Sequence, residues 1–426
     1  MSLGVRIDEV PSEKYHSMHY KSRPTDARVR HNGSLTSHAA RLCLILFTLA
    51  LGLSYSSTAH AYSWMIRHGY TGCVTCHADP SGAGLLMPYG RAQSDLLLRT
   101  HYTSDMPEEA AKSSGTLWGL LTPPDWLLLG GQFRALGMTS KSDGQKWTSN
   151  VVLMQADLAA EARWGGLRVN GSIGVVQSSA SRASLFGSVV SREHWVGYAF
   201  DDDAYYLVRA GRINLPYGLR IIEHTMFVRQ ATRTDINDTQ QHGVAFAYSG
   251  QLIRGEIMGI LGNYQLSPDA YRERGYSGYA ELKAAERVAI GLSSLVTHAQ
   301  RDVYLQTADT RQAHGMFARV SPWSALVLMA EADLVVHSPQ GFNALTGYAS
   351  LLQADVEALQ GLHLTGAAES YKQQAGFGQS WALWAGTGWF FAPHADVRLD
   401  FMRRSDVVGN GRFDSTAVLA QMHVFL

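Results

Sequence analysis

The sequence predicts an all-β protein: an outer-membrane antiparallel β-barrel of about sixteen strands, the porin size class, behind a short N-terminal segment. Three observations lead there. From position 117 onward, apolar and polar residues alternate in segments of roughly ten to fifteen residues, the period of half-exposed strands. Short turns alternate with longer polar connections. Charged residues make up only 17% of the 426 positions, yet beyond the N-terminus no apolar run reaches the ~18 residues of a spanning helix. The charge balance, 36 basic against 36 acidic residues, gives no reason to expect nucleic acid as a partner.

The strands follow in order. Residues 151–164 place Val152, Met154, Ala156, Leu158, Ala160 and Ala162 on one face, and Gln155, Asp157, Ala159, Glu161 and Arg163 on the other. In 325–337 the apolar face is Leu326, Leu328, Ala330, Ala332, Leu334 and Val336, with Glu331 and Asp333 opposite. Residues 348–358 set Leu352, Ala354 and Val356 against Gln353, Asp355 and Glu357; 397–401 set Val397, Leu399 and Phe401 against Arg398 and Asp400. A soluble sandwich also alternates, but covers its apolar face with a second sheet. Tight turns are expected at Trp164-Gly165-Gly166, Asp201-Asp202-Asp203, Ser249-Gly250-Gln251, Ser321-Pro322-Trp323 and Leu359-Gln360-Gly361. Longer polar loops are expected at 140–146, 215–241, 265–275, 298–312, 337–347 and 407–415. Short periplasmic turns and long external loops are how single-chain outer-membrane barrels are built, and an even strand count returns the C-terminus to the periplasm. The chain ends in a strand with Val418, Ala420, Met422, Val424 and Leu426 on one face and Phe425 penultimate.

Ahead of the barrel, residues 1–61 read as a leader and signal peptide. Arg28, Arg30 and Arg41 form the positive flank, 42–53 the apolar core, and Ala59-His60-Ala61 the cleavage site, so the mature chain starts at Tyr62. A retained anchor is the competing reading; the run is short for one. The polar leader is long, which leaves Met18 or a non-standard start as alternative beginnings. The remaining division is a monohaem cytochrome c segment over 62–116 and the barrel over 117–426.

Of the three cysteines, Cys43 falls in the signal. Cys73 and Cys76 stand in Gly72-Cys73-Val74-Thr75-Cys76-His77, which is Cys-x-x-Cys-His, the attachment motif of one covalently bound c-type haem. The two thiols add across the porphyrin vinyl groups, and the adjacent His77 becomes the proximal iron ligand. A structural disulfide, a thioredoxin-like pair and a zinc half-site compete. The pair lacks a βαβ setting, and no further cysteines remain for zinc. Met87 is the first candidate for the distal ligand: it follows a flexible loop, Asp79-Pro80-Ser81-Gly82-Ala83-Gly84, and precedes a stiffening proline. His68, Met65 and His101 are its rivals, and plain packing competes for each. An open sixth position would point to peroxide or ligand chemistry.

Met65-Ile66-Arg67, the haem motif and Pro88-Tyr89-Gly90-Arg91 together resemble the start of the fused monohaem cytochrome–porins, a family that includes outer-membrane iron oxidases. In that family an aromatic-Ala-Arg stretch precedes the motif and a Phe-Gly-Arg-like stretch follows it; Met65-Ile66 departs from the first. Residues 211–220 (GRINLPYGLR) also resemble a strand-to-loop element of porin-type barrels. The resemblance implies electron transfer across the outer membrane through the single haem, with the haem segment entering from the periplasmic side and plugging the lumen. The partners it implies are outer-membrane lipid, a periplasmic cytochrome or other soluble carrier, and an extracellular donor or acceptor, ferrous iron being the first to consider. The expected lumen carboxylates Asp157, Glu161, Glu331, Asp333, Asp355 and Glu357 would attract cations. Glu223, His224, Asp235 and Asp238 mark the long loop as an external access site, an ordinary pore-narrowing loop being the plainer reading. Two other functions compete: a solute porin plugged or regulated by its haem segment, and a haem enzyme such as a peroxidase.

Overall fold

A sheet whose strands each have one apolar and one polar face must cover its edges or close on itself, and this one closes. The computed structural model describes residues 63–102, 115–175, 189–202, 204–236, 239–374, 378–409 and 411–426. The leader and signal reading, Tyr62, Asp203 and Asp238 lie outside the described residues.

The wall consists of β1 (Leu127–Ser142), β2 (Thr148–Trp164), β3 (Leu167–Val175), β4 (Val189–Val190 and His194–Ala199), β5 (Tyr206–Ile213), β6 (Gln241–Ser249), β7 (Ile253–Gly262) and β8 (Arg274–Ala285). It continues through β9 (Val288–Ala299), β10 (Asp309–Trp323), β11 (Leu326–Pro339), β12 (Leu345–Leu359), β13 (Leu362–Lys372), β14 (Ser380–Ala392), β15 (Ala395–Val408) and β16 (Gly411–Phe425). The two pieces of β4 both pair with β3 and form one interrupted strand, so seventeen hydrogen-bonded pieces make sixteen strands. Each strand is antiparallel to the next, and β16 pairs back on β1 from Gln132↔Phe425 to Ser142↔Ser415. The result is a closed antiparallel barrel, as the alternation predicts.

One end carries tight turns at 165–166, 286–287, 324–325, 360–361 and 393–394. The opposite end carries the longer connections, 214–240 above all. Residues 407–415 differ from expectation: they are almost all strand, with Asp406↔Phe413, Val407↔Arg412 and Val408↔Gly411 in register. Their polarity serves cross-strand contacts, such as Arg412 Nη1 to Ser405 Oγ at 2.6 Å and Ser405 Oγ to Asp414 Oδ1 at 2.5 Å.

The faces fall as the pattern dictates. Gln155, Asp157, Glu161, Glu331, Asp333, Gln353 and Asp355 point inward and are buried, while Leu158, Leu292 and Leu352 are more than half exposed outside. Large aromatics collect on the outer surface near the turn end (Trp126, Trp164, Tyr198, Phe200, Trp323, Trp389) and again near the loop end (Trp147, Tyr264, Tyr304, Phe342, Phe413). The inner face is not uniformly polar. Val327, Met329, Ala349, Leu351 and Trp384 form one buried cluster with Trp64, Met65, Ile66, Phe227 and Val228, residues that belong to chain segments inside the wall.

Candidate functional site

Two segments occupy the interior. The first, 214–240, leaves β5 and reaches strands on the far side of the wall. Pro216 O accepts from Ser277 Oγ at 2.9 Å, the Gly218 N–H donates to Ser293 Oγ at 2.9 Å, and Tyr217 Oη donates to Asp333 at 2.8 Å. Glu223 meets Arg398 at 2.6 Å. Within this segment α2 (Phe227–Thr232) brings Arg229 to Glu331. This is the ordinary lumen-crossing loop.

The second segment is 63–102. A 3-10 turn over Ser63–His68 fixes Arg67, fully buried, between Asp355 and Glu357 of β12. Arg319 of β10 donates to the Thr71 carbonyl at 3.1 Å, and Lys283 of β8 to that of Gly69 at 3.4 Å. On the other side Asp79 pairs with Arg209 of β5 at 2.8 Å, and Arg91 donates to Leu129 O of β1 at 2.9 Å. The segment is thus tied to inward-facing groups around the circumference.

The Cys-x-x-Cys-His motif lies in its middle. The Cys76 and His77 amides both donate to the Cys73 carbonyl, at 3.1 and 2.9 Å, a single tight turn that sets the thiol spacing. Cys73 and Cys76 are buried and form no disulfide. His77 bridges to Leu86, and the Met87 amide donates to Cys76 O at 2.8 Å, so 76–78 and 85–87 run antiparallel around the loop 79–84. Ser81 N–H donates to Asp79 Oδ1 at 2.8 Å, and Gly82 (φ +85°) and Gly84 (φ +69°) complete the turn. α1 (Pro88–Gln93) starts on proline and continues into a π turn, Ser94–Leu98. A Cβ at Gly90 would collide with the Cys76 carbonyl, which accounts for glycine in Pro88-Tyr89-Gly90-Arg91.

Cys76 and His77 line a partly open cavity inside the wall. Met65, Leu85, Leu86, Ile221, Ile222 and Phe425 supply apolar wall; Arg134, Arg192 and Arg220 supply cations. The His77 side chain is half-buried, with a buried Nδ1 that lacks a hydrogen-bond partner. Burial pushes the His77 imidazole down to about 4, Asp79 and the Ala83 carbonyl acting the other way, so the ring is neutral, the form that ligates metal. Cys73 lies outside the cavity lining, where its Sγ takes Arg254 Nη1 at 3.5 Å; the chemistry of the remaining donor set, a Cys76 thiol and a neutral imidazole on a cleft edged by guanidinium groups suited to carboxylates, fits a c-type haem.

The distal candidates are dispersed. Met65 lines the cavity. Met87 packs beside Ala78, Leu85 and Leu128, outside the lining, and its sulfur takes Arg163 Nη2 at 2.9 Å. His68 is lowered below its ordinary value by burial, with Glu357 of the wall opposing that shift. His101 Nε2 lies 3.1 Å from Leu96 O. Sequence reasoning missed His423. It faces inward on β16, lines the same cavity, and holds Asp396 of β15 at 2.9 Å through Nδ1. Its parity with Phe425 was the available signal.

The carboxylates expected to attract cations already have partners. Asp157 pairs with Arg192 at 2.7 Å, Glu161 with Arg163 at 2.7 Å, Asp333 with Tyr217, Glu331 with Arg229, and Asp355 and Glu357 with Arg67. In the long loop His224 meets Asp235 at 3.0 Å and Arg134 at 3.2 Å. Among the described residues, no group of three or more His, Cys, Asp or Glu is placed to hold a metal ion by itself.

No protein-family model matches the chain, and no curated protein matches it. Solved structures do. A loop L8 deletion mutant of OmpT, an outer membrane protein of Vibrio cholerae, aligns at 11% identity and TM-score 0.55, over 70% of this chain and 99% of that one. The outer membrane channel DcaP of Acinetobacter baumannii gives 14% identity and TM-score 0.53, over 70% and 97%. The anion-selective porin from Comamonas acidovorans gives 11% and 0.54, over 70% and 99%. The likeness is one of fold.

Proposed function

We propose that this protein is an outer-membrane barrel carrying one c-type haem on Cys73 and Cys76, with His77 as proximal ligand, and that it passes single electrons between the two sides of the membrane. Two aromatic girdles around an apolar outer face support the membrane setting, as does the likeness to outer-membrane porins. The observation that carries the haem reading is the placement of Cys76 and His77 on an apolar, arginine-edged cavity inside the wall. Bound there, the group supplies a one-electron iron couple.

The chain's own residues do the rest. Arg67, Asp79 and Arg91 hold the segment in register with the wall, so the motif is fixed at a defined depth. The loop 214–240 lines one side of the cavity with Arg220, Ile221 and Ile222. The partners are a soluble carrier on the periplasmic side and a one-electron donor or acceptor outside, ferrous iron being the first to try.

The test uses liposomes. Purified full-length protein is inserted around an enclosed soluble cytochrome, and an impermeant ferrous chelate is added outside. Reduction inside, absent in His77→Ala, is the expected result. Solute leakage without reduction would make the protein a porin, and neither reduction nor leakage would leave a haem enzyme.

A further inference from the structure

The cavity has a second imidazole on its wall. His423 is 5% exposed, sits on the inner face of the closing strand, and lines the cavity together with His77 and Cys76. Its Nδ1 lies 2.9 Å from Asp396 Oδ2, its register partner across the β15–β16 hairpin. A carboxylate there places the ring proton on Nδ1 and leaves the Nε2 lone pair unshared. That Nε2 is buried and has no hydrogen-bond partner. A buried acceptor without a donor is costly, and native chains keep few of them without a reason. The Phe425 ring, 5.1 Å away, adds an apolar neighbour to the imidazole.

An imidazole oriented by a carboxylate through one nitrogen, with the other nitrogen open to a cavity, is the arrangement of metal-bound histidine. We infer that His423 is the second axial ligand of the haem iron, so that the iron is held between the N-terminal segment and the barrel wall. This rests on the haem reading of Cys73, Cys76 and His77. Met65 is the one sulfur of the earlier candidates that reaches the cavity, but it is 2% exposed within the main apolar cluster and has nothing to orient its lone pairs. Asp396 is the positioning residue: it fixes the ring and raises its basicity as a ligand. A six-coordinate iron suits electron transfer and closes the site to peroxide.

The experiment is spectroscopic, on full-length protein purified from outer membranes. Covalent haem stain and heat-modifiable migration first establish attachment and barrel folding for each variant. Ferric wild type is expected to be low-spin with two nitrogen ligands by electron paramagnetic resonance. His423→Gly should keep its covalent haem, turn high-spin, and return to low-spin when free imidazole is added. Asp396→Asn should stay low-spin with a shifted midpoint potential, and Met65→Leu should leave the spectrum unchanged. A methionine-sulfur charge-transfer band in wild type, or an unaltered low-spin signal in folded His423→Gly, overturns the assignment while leaving the haem reading intact. Wild type without covalent haem overturns the haem reading itself, and the assignment with it.

Discussion

The two interior segments invite comparison because they solve the same packing problem with opposite results. Both 63–102 and 214–240 fill the lumen and both are tied to distant strands by buried polar contacts. The loop packs Leu215, Tyr217, Leu219, Met226 and Phe227 against wall residues and borders the cavity only with its own Arg220, Ile221, Ile222 and Ile236. The N-terminal segment does the same with Trp64, Met65 and Ile66, but at Cys76 and His77 it stands off and leaves a cavity. Departures from close packing and full hydrogen bonding concentrate where a chain has work to do. On the haem reading, the difference makes the loop a spacer and the N-terminal segment a carrier.

Four substitutions break or sharpen that contrast. The largest effect is expected from Cys76→Ala: covalent haem stain is lost, while heat-modifiable migration shows an intact barrel, because the wall does not depend on the thiol. Next is Arg67→Ala. It takes the guanidinium from the buried Asp355, which keeps only His363, and from the half-buried Glu357. Breaking a buried pair costs about 3–5 kcal/mol, so residues 63–102 should detach, read as new protease cleavage there and a raised single-channel conductance. In the loop, Tyr217→Phe removes one buried hydrogen bond to Asp333. It should cost about 1–3 kcal/mol in urea unfolding within lipid vesicles and leave the haem spectrum unaltered. The smallest effect belongs to Arg403→Ala, whose pairs with Asp143 and Asp414 lie at the exposed rim. No measurable change in stability, stain or conductance is expected, since surface ion pairs contribute little.

The wall was readable in the sequence because a barrel strand exposes both of its faces to different media. Leu158 outside and Asp157 inside follow from a period of two alone. The interior was less readable. Val327 and Met329 alternate out of phase with Leu326 and Leu328, so both faces of that strand are apolar. Periodicity cannot say that the inner pair meets Trp64 and Ile66, which lie ten strands earlier in the chain. The motif at 73–77 was legible because covalent chemistry demands fixed local spacing. Met87 stood first among distal ligands by the same local logic, yet its sulfur faces Arg163. His423, hundreds of residues downstream, reaches the cavity only through barrel closure, and a local motif search has no access to that. Residues 407–415 misled for a related reason, since polar composition above the apolar belt marks strand extension as readily as loop.

The cavity is walled by Gly131, Gln132 and Arg134 of the first strand and by His423 and Phe425 of the last. These strands meet only at the seam, β1 against β16. The pocket therefore has no existence in a partly assembled barrel, and the thiols of Cys73 and Cys76, 5% and 4% exposed, are out of an enzyme's reach in a finished one. On the haem reading this fixes an order of events: the cofactor is joined to an open chain, and the last hairpin then shuts it in. A prosthetic group bridging segment and seam would act as a rivet, set at the moment the cylinder is sealed.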